Sequence, residues 1–364
     1  MFSPPDAVWR AHFQNALLAW FATNRRPLPW RQDYLPYHVW IAEVMLQQTR
    51  MSRGVAYFHR WVARFPDVAA VASASRDDLL HYWEGLGYYS RLDNLRRAAQ
   101  AIMAKHGGQL PDTPEKLLRL PGIGRYTAAA VAAIAFGRDV AAVDANVARV
   151  FARLFDLGQT HDHLRRRVEQ LAAALLPSGQ ARDYNQALME FGALLCLPRR
   201  ARCEQCPFPE LCLAKKRHTV AERPAPRPKI DKTDLLMAAA ILRRPDGRVL
   251  LRKRPATGMW AGLWEFPGLI HRADENENAV SLLRRELPGG LGLTATLAPF
   301  ASVSHCHTRY RVLLDGYLCY LIDGIGLPPL VEPYSWVDGD QLATRAMSAG
   351  HRRLAALLVA SGII

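Results

Sequence analysis

Through about the first 213 residues, the apolar side chains recur at helical spacing. In VWRAHFQNALLAWF, which begins at Val8, they return every three or four positions, and Ser3 and Pro4 before it suit a helix start. DYNQALMEFGALLC repeats the pattern as one apolar stripe, made of Tyr184, Ala187, Leu188, Phe191, Leu194 and Leu195. Because few segments alternate between apolar and polar residues, this part of the chain is predicted to be all-α.

The pattern changes beyond Asp234. DLLMAAAILRR and RVLLRKR flank a Pro-Asp-Gly turn and indicate strands, YRVLLDGYLCYLI indicates one or two more, and SLLRREL and HRRLAALLVAS indicate helices. Between the two parts, ERPAPRPKIDK sets three prolines among charges, which is typical of a semi-rigid, extended linker. We therefore predict a multidomain chain, with an all-α domain over residues 1–220, a linker over 221–233 and a smaller α/β domain over 234–364.

Composition and charge narrow the class of protein. A hydrophobic content of 50% over 364 residues is typical of globular domains, and a formal net charge of +14 favours a polyanionic partner such as nucleic acid. The first residues lack the apolar core of a signal peptide, and the longest apolar run, Ala128 to Phe136, is too short to cross a bilayer. We expect a cytoplasmic monomer, associated with the nucleoid through DNA and not with membranes.

Four of the six cysteines lie in the segment CLPRRARCEQCPFPELC, at Cys196, Cys203, Cys206 and Cys212. In a reducing compartment such a cluster favours metal binding, and four thiolates suit either tetrahedral zinc or a 4Fe–4S cluster. Zinc loops usually present two closely spaced pairs of cysteines, whereas this segment has one. Three arginines lie between the first two cysteines, at Arg199, Arg200 and Arg202. A loop tied by a metal holds them ready for phosphates, although a structural loop with incidental charge explains them equally well.

The segment LPGIGRYTAAAVAAIAFG places a glycine turn before a helix, where backbone N–H groups can approach a phosphate. This segment, the VDANV motif about twenty residues later and the cysteine spacing together resemble the endonuclease III superfamily of DNA repair glycosylases. The resemblance implies a helix-hairpin-helix over about residues 117–136, with Gly122 and Gly124 facing DNA. It also implies one 4Fe–4S cluster per chain, held by the four cysteines.

Three further motifs select one branch of this superfamily. LPWR, WIAEVMLQQTR and GLGYYSR are similar to signatures of the MutY-type adenine DNA glycosylases, and the similarity extends along nearly the whole chain. In the bifunctional endonuclease III branch, a lysine that attacks the sugar stands where this chain has Tyr126, and tyrosine cannot form a Schiff base. The resemblance implies a monofunctional enzyme that hydrolyses the glycosidic bond of adenine mispaired with 8-oxoguanine or guanine and leaves an abasic site.

Two carboxylates suit that chemistry, because adenine leaves readily only when protonated and the sugar then carries positive charge. Glu43 lies in an apolar stretch, where desolvation raises a carboxyl pKa and keeps a proton available. By the family match, Glu43 protonates adenine and later activates water, while Asp144 stays ionised and faces the sugar. Asp144 also fits a helix N-cap. Tyr126 and Asn146 match positions that orient the carboxylates and water, and Ala145, which replaces a family glycine, is expected to be tolerated.

Other residues carry over from the family match to DNA contacts. The walls of the adenine pocket match Trp30, Arg31 and Gln186. The residues that wedge into the duplex around 8-oxoguanine match Gln48, Thr49, Leu86 and Tyr88. For Leu86 and Tyr88, packing in the protein core is an alternative explanation.

In the C-terminal part, GLWEFPG followed by RREL resembles the Nudix fold of oxidised-nucleotide hydrolases. A working Nudix box needs glutamates after this motif to hold magnesium, and in their place stand Pro288, Gly289 and Gly290. Pyrophosphate hydrolysis is therefore not expected, and the resemblance implies a domain that recognises 8-oxoguanine through Ser304 and His305. Val303 replaces the family's phenylalanine beside them. For Cys306 and His307, alternation along a strand is a better explanation than a metal site.

Three rival hypotheses remain at this point. A bifunctional endonuclease III-like glycosylase and lyase is disfavoured by Tyr126 and by the second domain. A non-enzymatic DNA-binding iron–sulfur protein does not need Glu43 and Asp144 in these contexts. A Nudix hydrolase is disfavoured by the missing glutamates.

Overall fold

The structure is a computed structural model, and it describes residues 6–159, 161–226, 231–271, 279–287, 295–307, 310–321 and 333–364. The chain divides into two compact units, each built from two stretches of sequence. One unit comprises Met1–Ala74 and Asp93–Pro228, and the other Ser75–Leu92 and Lys229–Ile364. By chain order alone, residues 75–92 belong to the predicted helical domain, yet they group with the C-terminal part. Among the described residues, no helix is long and apolar enough to span a membrane.

The described residues before the linker are helical, as predicted. Their α-helices are α1 (Ala7–Asn24), α2 (Pro36–Met45), α3 (Met51–Arg64), α4 (Val68–Ser73), α5 (Arg76–Trp83), α6 (Tyr89–His106), α7 (Pro114–Leu117), α8 (Arg125–Phe136), α9 (Ala145–Leu154), α10 (His161–Ala174), α11 (Ala181–Leu194) and α12 (Leu213–Lys216). The first helix does not begin at Ser3 and Pro4, which lie outside the described residues. It begins after Asp6, whose carboxylate accepts the N–H of Trp9 at 2.8 Å and so caps the helix.

The core of the first unit lies where α1, α9 and α11 pack together. Phe13 of α1 contacts Phe151 of α9 edge to face, at 6.4 Å between ring centroids, and both rings are fully buried. The predicted stripe of α11 is the face that packs here, since Tyr184 and Leu188 have no exposed surface. Gly192 of α11 allows the close approach to α9, because a Cβ there would lie 2.7 Å from the Cβ of Asn146. This packing positions the N-terminus of α9 against α11.

The second unit contains two sheets. Its strands are β1 (Thr233–Leu242), β2 (Val249–Lys253), β3 (Trp264–Glu265), β4 (Gly268–His271), β5 (Ala295–His307), β6 (Tyr310–Leu321) and β7 (Tyr334–Val337), and its C-terminal helices are α13 (Ala279–Glu286), α14 (Gly339–Thr344) and α15 (Ala349–Ala360). One sheet has the order β4-β1-β6-β5, with β1 and β6 parallel, and the other has the order β3-β2-β7. The runs predicted as strands and helices are therefore present, and the fold class, an all-α part followed by a mixed α/β part, is confirmed.

The Pro-Asp-Gly turn connects two strands that lie in different sheets. Gly247 adopts a φ of 88°, which a side chain would disfavour, and the Asp246 carboxylate accepts the N–H of Arg248 at 3.1 Å. Beyond one bridge between Arg243 and Val249, β1 pairs with β4 and β6 while β2 pairs with β3 and β7. The turn therefore passes the chain from one sheet to the other.

Candidate active site

Glu43 is a buried carboxyl in the middle of α2. Residues 39–45 are all buried, and Glu43 itself is 8% exposed. The hydroxyl of Tyr126 donates to Glu43 Oε2 at 2.6 Å. Burial raises the pKa of Glu43 to about 7, the nearby Asp144 adds to the rise, and the Tyr126 hydrogen bond and Arg31 oppose it. Glu43 therefore carries a proton in a substantial fraction of molecules near neutral pH.

Tyr126 reaches Glu43 from the first turn of α8, directly after the glycine turn. Gly124 occupies the N-cap of that helix, and Tyr126 is its second residue. Burial and the two neighbouring carboxyls raise the pKa of Tyr126 well above its ordinary value, so its hydroxyl remains a donor. A phenol at this position orients a carboxyl without offering an amine for attack on a sugar.

Asp144 lies at the N-cap of α9, as the capping explanation predicts, and this geometry is also compatible with a catalytic carboxylate. Its Oδ1 accepts the N–H of Val147 at 2.7 Å, and its Oδ2 accepts the side-chain amide of Asn146 at 2.8 Å. Burial raises the pKa of Asp144, whereas these N–H groups oppose the rise because they stabilise the carboxylate. Ala145 is the first residue of the helix and is exposed, so its methyl group is not crowded by the protein.

Arg149 connects the Asp144–Asn146 pair to the cysteine segment. Its Nη2 donates to Asn146 Oδ1 at 2.9 Å and to the carbonyl of Gly192 at 2.8 Å, and its Nε donates to the carbonyl of Cys196 at 2.8 Å. Asn146 in turn donates to Asp144. A continuous chain of hydrogen bonds therefore runs from the backbone of the first cysteine to the candidate catalytic carboxylate.

A second buried glutamate, Glu190, organises the predicted adenine pocket. Glu190 is 1% exposed, and it accepts two hydrogen bonds from the Arg26 guanidinium at 2.7 and 2.8 Å and one from Arg31 at 3.0 Å. Burial alone would raise its pKa, but the two arginines outweigh burial and lower it to about 2. Arg31 also donates from Nε to Gln186 Oε1 at 2.9 Å. Trp30, the third predicted wall residue, is 5% exposed.

Glu190 and Arg26 were not predicted as site residues. The signal for Glu190 is present in the sequence, since it is an acid beside the apolar stripe of DYNQALMEFGALLC, where an unpaired carboxylate is costly to bury. The signal for Arg26 becomes visible only through the fold, because its partner lies 164 positions away.

The residues predicted to wedge into a duplex have different exposures. Gln48 is exposed in the turn after α2 with a φ of 59°, and Thr49 beside it is half-buried. Tyr88 is 40% exposed with a φ of 48°, whereas Leu86 is 8% exposed. Of this pair, Tyr88 is thus the one whose side chain is presented to solvent.

The predicted helix-hairpin-helix corresponds to α7, a glycine turn and α8. Gly122 has a φ of 73°, and a Cβ there would lie 2.4 Å from the Asn94 side chain. Gly122 and Gly124 are both exposed, and Gly124 has open space around its Cα. The backbone at the N-terminus of α8 is therefore accessible to a phosphate.

The four clustered cysteines line one cavity in the first unit. Arg153 encloses it, since Nη1 donates to Cys196 Sγ at 3.4 Å and to the Leu197 carbonyl at 2.7 Å, and Nη2 donates to the Pro198 carbonyl at 2.8 Å. In the part of the chain that the structure describes, no group of three or more His, Cys, Asp or Glu side chains is already arranged to hold a metal ion. Four thiols around one cavity beside a guanidinium nevertheless form a donor set that suits a thiolate-bound metal.

The three arginines of the same segment are exposed, at Arg199, Arg200 and Arg202. A loop whose cysteines face inward and whose arginines face solvent offers positive charge to a polyanion.

In the second unit, the consecutive residues Ser304 and His305 lie on opposite faces of β5. Ser304 is exposed opposite Leu313, which is 40% exposed, whereas Val303 is 8% exposed opposite the fully buried Leu314. His305 follows the inward side of Val303, because successive side chains alternate between the faces of a strand. Its ring lies 5.9 Å from that of Trp260. The two predicted reading residues therefore point to opposite faces.

The Nudix-like features are present only in part. Glu265 of the GLWEFPG segment is 3% exposed and is neutralised by Arg252 at 2.7 Å and Arg254 at 2.6 Å. The positions where the magnesium-binding glutamates are missing, residues 288–290, lie outside the described residues. Cys306 is on the exposed face of β5, where Lys232 donates to its sulfur at 3.2 Å, and the side chain of His307 is also outside the described residues.

Comparison with known proteins supports this architecture. A model of the "HhH-GPD superfamily base excision DNA repair protein" family matches residues 41–177, and a NUDIX domain model matches residues 238–357. The chain is 32% identical to the adenine DNA glycosylase of Homo sapiens, in a match that covers 94% of this chain and 73% of the human protein.

Among solved structures, a thermostable thymine-DNA glycosylase is 31% identical with a TM-score of 0.54, over 58% of this chain and all (100%) of that one. Endonuclease III in a non-covalent DNA complex is 23% identical with a TM-score of 0.51, over 60% of this chain and 99% of that one, which shows a shared fold. The match to the human enzyme goes further than the fold, since it extends over most of both chains. This chain is a member of the adenine DNA glycosylase family, with a helix-hairpin-helix base excision repair domain followed by a Nudix domain.

Proposed function

We propose that this chain removes adenine paired with 8-oxoguanine or guanine in duplex DNA and leaves an abasic site. Membership of the adenine DNA glycosylase family supports the base and the polymer. The observation that carries the chemistry is the buried Glu43 carboxyl, which has a pKa of about 7 and a hydrogen bond from Tyr126. An acid with this pKa can donate a proton to a base at neutral pH, which an ordinary glutamate cannot do efficiently.

Bond cleavage needs both carboxyl groups. With the nucleotide flipped into the pocket, Glu43 gives its proton to N7 of adenine, and the electrons of the bond between C1′ and N9 move onto the departing base. The deoxyribose is left with positive charge at C1′. The Asp144 carboxylate, held by Asn146 and the Val147 N–H, stabilises that charge.

Water completes the reaction. Glu43, now ionised, accepts a proton from a water molecule whose oxygen bonds to C1′, so the carboxyl regains its proton and the sugar becomes an abasic site. Tyr126 remains the donor to Glu43 and fixes the direction of the carboxyl in both protonation states. Because Tyr126 has no amine, the sugar is not captured as a Schiff base and the strand is left intact.

Choice of the mispair depends on groups that face the opposite base. Adenine is undamaged, so the pocket around Glu43 has no means to distinguish a mispaired adenine from a correctly paired one. Ser304 is the exposed hydroxyl among the residues proposed to read 8-oxoguanine, which differs from guanine by an N7–H donor and a C8 oxygen. Gln48, Thr49 and Tyr88 are proposed to fill the space in the base stack that the flipped nucleotide leaves.

The proposed cofactor is one 4Fe–4S cluster, held by Cys196, Cys203, Cys206 and Cys212. When bound, such a cluster ties the segment into a rigid loop. Arg153 and Arg149 hydrogen-bond to backbone carbonyls of this segment, and Arg199, Arg200 and Arg202 extend from it into solvent, where they can bind phosphates.

The proposal is tested with duplexes that carry adenine opposite each of the four bases and opposite 8-oxoguanine, under single-turnover conditions and with alkali to reveal abasic sites. Glu43→Gln should bind the mispaired duplex and excise adenine at least about a hundredfold more slowly, since it lacks the general acid. Glu169→Gln, on the partly exposed side of α10, is the matched control and should act like the wild type. Near-normal excision by Glu43→Gln would remove Glu43 from the mechanism, and no excision of adenine by the wild type would overturn the proposed function.

A further inference from the structure

The loop that carries Tyr88, residues 84–88 between α5 and α6, has a strained backbone that surrounding contacts must maintain. Gly85, Gly87 and Tyr88 all have positive φ, at 89°, 75° and 48°. For tyrosine this backbone conformation is unfavourable and persists only where surrounding contacts maintain it. The residues that provide such contacts therefore control where the Tyr88 ring points.

Part of the support comes from the segment itself. The Arg91 guanidinium lies over the Tyr88 ring at 5.2 Å and over the Trp83 ring at 5.6 Å, and Trp83 Nε1 donates to the Gly87 carbonyl at 3.1 Å. These contacts fix the shape of the loop. They do not fix its position relative to the rest of the protein.

A further contact to the loop comes from α15, far along the chain. Arg352 donates from Nε and Nη2 to the two carboxylate oxygens of Glu84 at 2.6 and 2.9 Å, and from Nη1 to the Leu342 carbonyl at 2.9 Å. The Glu84 side chain is 15% exposed and that of Arg352 30%, so the pair is partly shielded from water. A two-point contact between a planar guanidinium and a carboxylate fixes orientation as well as distance.

The same helix holds the strand of Ser304. Arg353, the next residue of α15, donates from Nη1 to the Ser304 carbonyl at 2.6 Å. Gly350 makes room for the neighbouring His305, because a Cβ on Gly350 would lie 2.8 Å from the His305 ring. Two consecutive arginines of α15 therefore contact the Tyr88 loop and the Ser304 strand.

We propose that α15 couples these two elements, with Arg352 as a positioning residue that places the Tyr88 loop for insertion into DNA. Glu84 is the partner of Arg352, and Arg353 holds β5, which carries Ser304, in a fixed position relative to the loop. This inference rests on the proposed function, in which Tyr88 fills the space left by the extruded adenine.

Charge reversal tests the proposal on the full chain. The variants are Glu84→Arg, Arg352→Glu and the double swap, and the probe is a duplex with 2-aminopurine opposite 8-oxoguanine, whose fluorescence rises when the base leaves the stack. At saturating protein, with binding measured separately, each single reversal should lower the extrusion signal about tenfold, as expected for loss of a charge-assisted contact. The double swap should restore most of it, and adenine excision should fall and recover in parallel opposite 8-oxoguanine and opposite guanine.

The matched control is Arg311→Ala, which removes an exposed ion pair with Asp234 between β1 and β6 and should leave the signal unchanged. The proposal is overturned if both single reversals give the wild-type extrusion signal. It is also overturned if the double swap folds normally by circular dichroism but does not recover the signal. If a reversal does not fold, Glu84→Gln and Arg352→Gln are compared singly and together, and purely additive losses overturn it as well.

The design separates this inference from the proposed function. Tyr88→Ala should abolish the extrusion signal; if it does not, the proposed role of Tyr88 fails. If Tyr88→Ala has its effect and the wild type excises adenine while the charge variants match the wild type, only the coupling through α15 fails.

Discussion

Two buried glutamates of the candidate active site should respond to replacement by glutamine with opposite changes in stability. Glu43 and Glu190 are 8% and 1% exposed, and both lie in the first unit. Burial dominates at Glu43 and raises its pKa to about 7, whereas Arg26 and Arg31 dominate at Glu190 and lower its pKa to about 2. Replacement by glutamine therefore removes an unfavourable buried charge at Glu43, whereas at Glu190 it removes a stabilising ion pair.

The sign at Glu43 follows from proton binding. Between its ordinary pKa of 4.5 and about 7, the folded chain holds a proton that the unfolded chain has released, so the free energy of unfolding falls as pH rises through this window. At about 1.36 kcal/mol per pKa unit, the rise in the Glu43 pKa corresponds to a loss of about 3 kcal/mol in the free energy of unfolding. Glu43→Gln has no such penalty, and Tyr126 can still donate to its amide oxygen. The variant should match the wild type near pH 4.5 and exceed it by up to about 3 kcal/mol above pH 7.

The contribution of Glu190 to stability depends on pH in the opposite direction. Its pKa is lowered from 4.5 to about 2, so its contribution is complete above pH 4.5 and is lost as pH falls toward 2. Glu190→Gln should cost about 3 kcal/mol or more at neutral pH, because Arg26 and Arg31 keep their charge without the carboxylate.

Urea unfolding followed by far-ultraviolet circular dichroism, which reports mainly the helical unit, measures the Glu43 effect at a series of pH values from 4.5 to 8 and the Glu190 effect at neutral pH. Glu169→Gln serves as the control, and the proteins are compared at equal iron content. If Glu43→Gln is no more stable than the wild type at pH 8, the Glu43 carboxyl is not paying a burial penalty, and the raised pKa on which the acid role depends is refuted.

Other outcomes follow from the same geometry. Borohydride should trap no covalent adduct during adenine release, since Tyr126 lacks an amine, and trapping at the rate of base loss would instead favour a lyase. Iron analysis should find about four irons per chain, as expected for a cysteine-ligated cluster, and Cys203→Ala should lose iron and DNA affinity; a colourless protein with one zinc contradicts this. Ser304→Ala should narrow the preference for 8-oxoguanine over guanine about 5- to 150-fold at fixed salt, as expected for one hydrogen bond, whereas Ser302→Ala on the same face should not. Single-turnover excision should decline as pH rises above about 7, as Glu43 loses its proton, and a flat profile to pH 9 would contradict this.

Much of the fold and part of the site can be predicted from local pattern. The apolar stripe of α11 and the glycine turn before α8 are visible because helix packing and tight turns leave short-range signatures. The VDANV motif predicts the N-cap that Asp144 forms, and the same motif places its carboxylate in the candidate site.

What could not be predicted depends on contacts between distant parts of the chain. The Arg26–Glu190 pair joins residues 164 positions apart, and the Arg149 contact with Cys196 joins residues 47 apart. The two strands around the Pro-Asp-Gly turn were correctly predicted, but their separation into two sheets depends on partners later in the chain. Residues 75–92 group with the C-terminal part, in which Glu84 pairs with Arg352, and no local pattern reveals this grouping.

The distance in sequence between residues of the candidate active site also determines when that site can form during synthesis. Tyr126 reaches Glu43 across 83 positions, and Arg31 reaches Glu190 across 159. A chain still being synthesised contains Glu43 long before Tyr126 of α8 exists, and a Glu43 that is not yet buried is a solvated carboxylate with an ordinary pKa. A polypeptide cut short by early termination or proteolysis before α8 keeps Glu43 but lacks the Tyr126 hydroxyl that donates to it. Folding that brings α2 and α8 together thus creates the raised pKa on which the proposed excision depends.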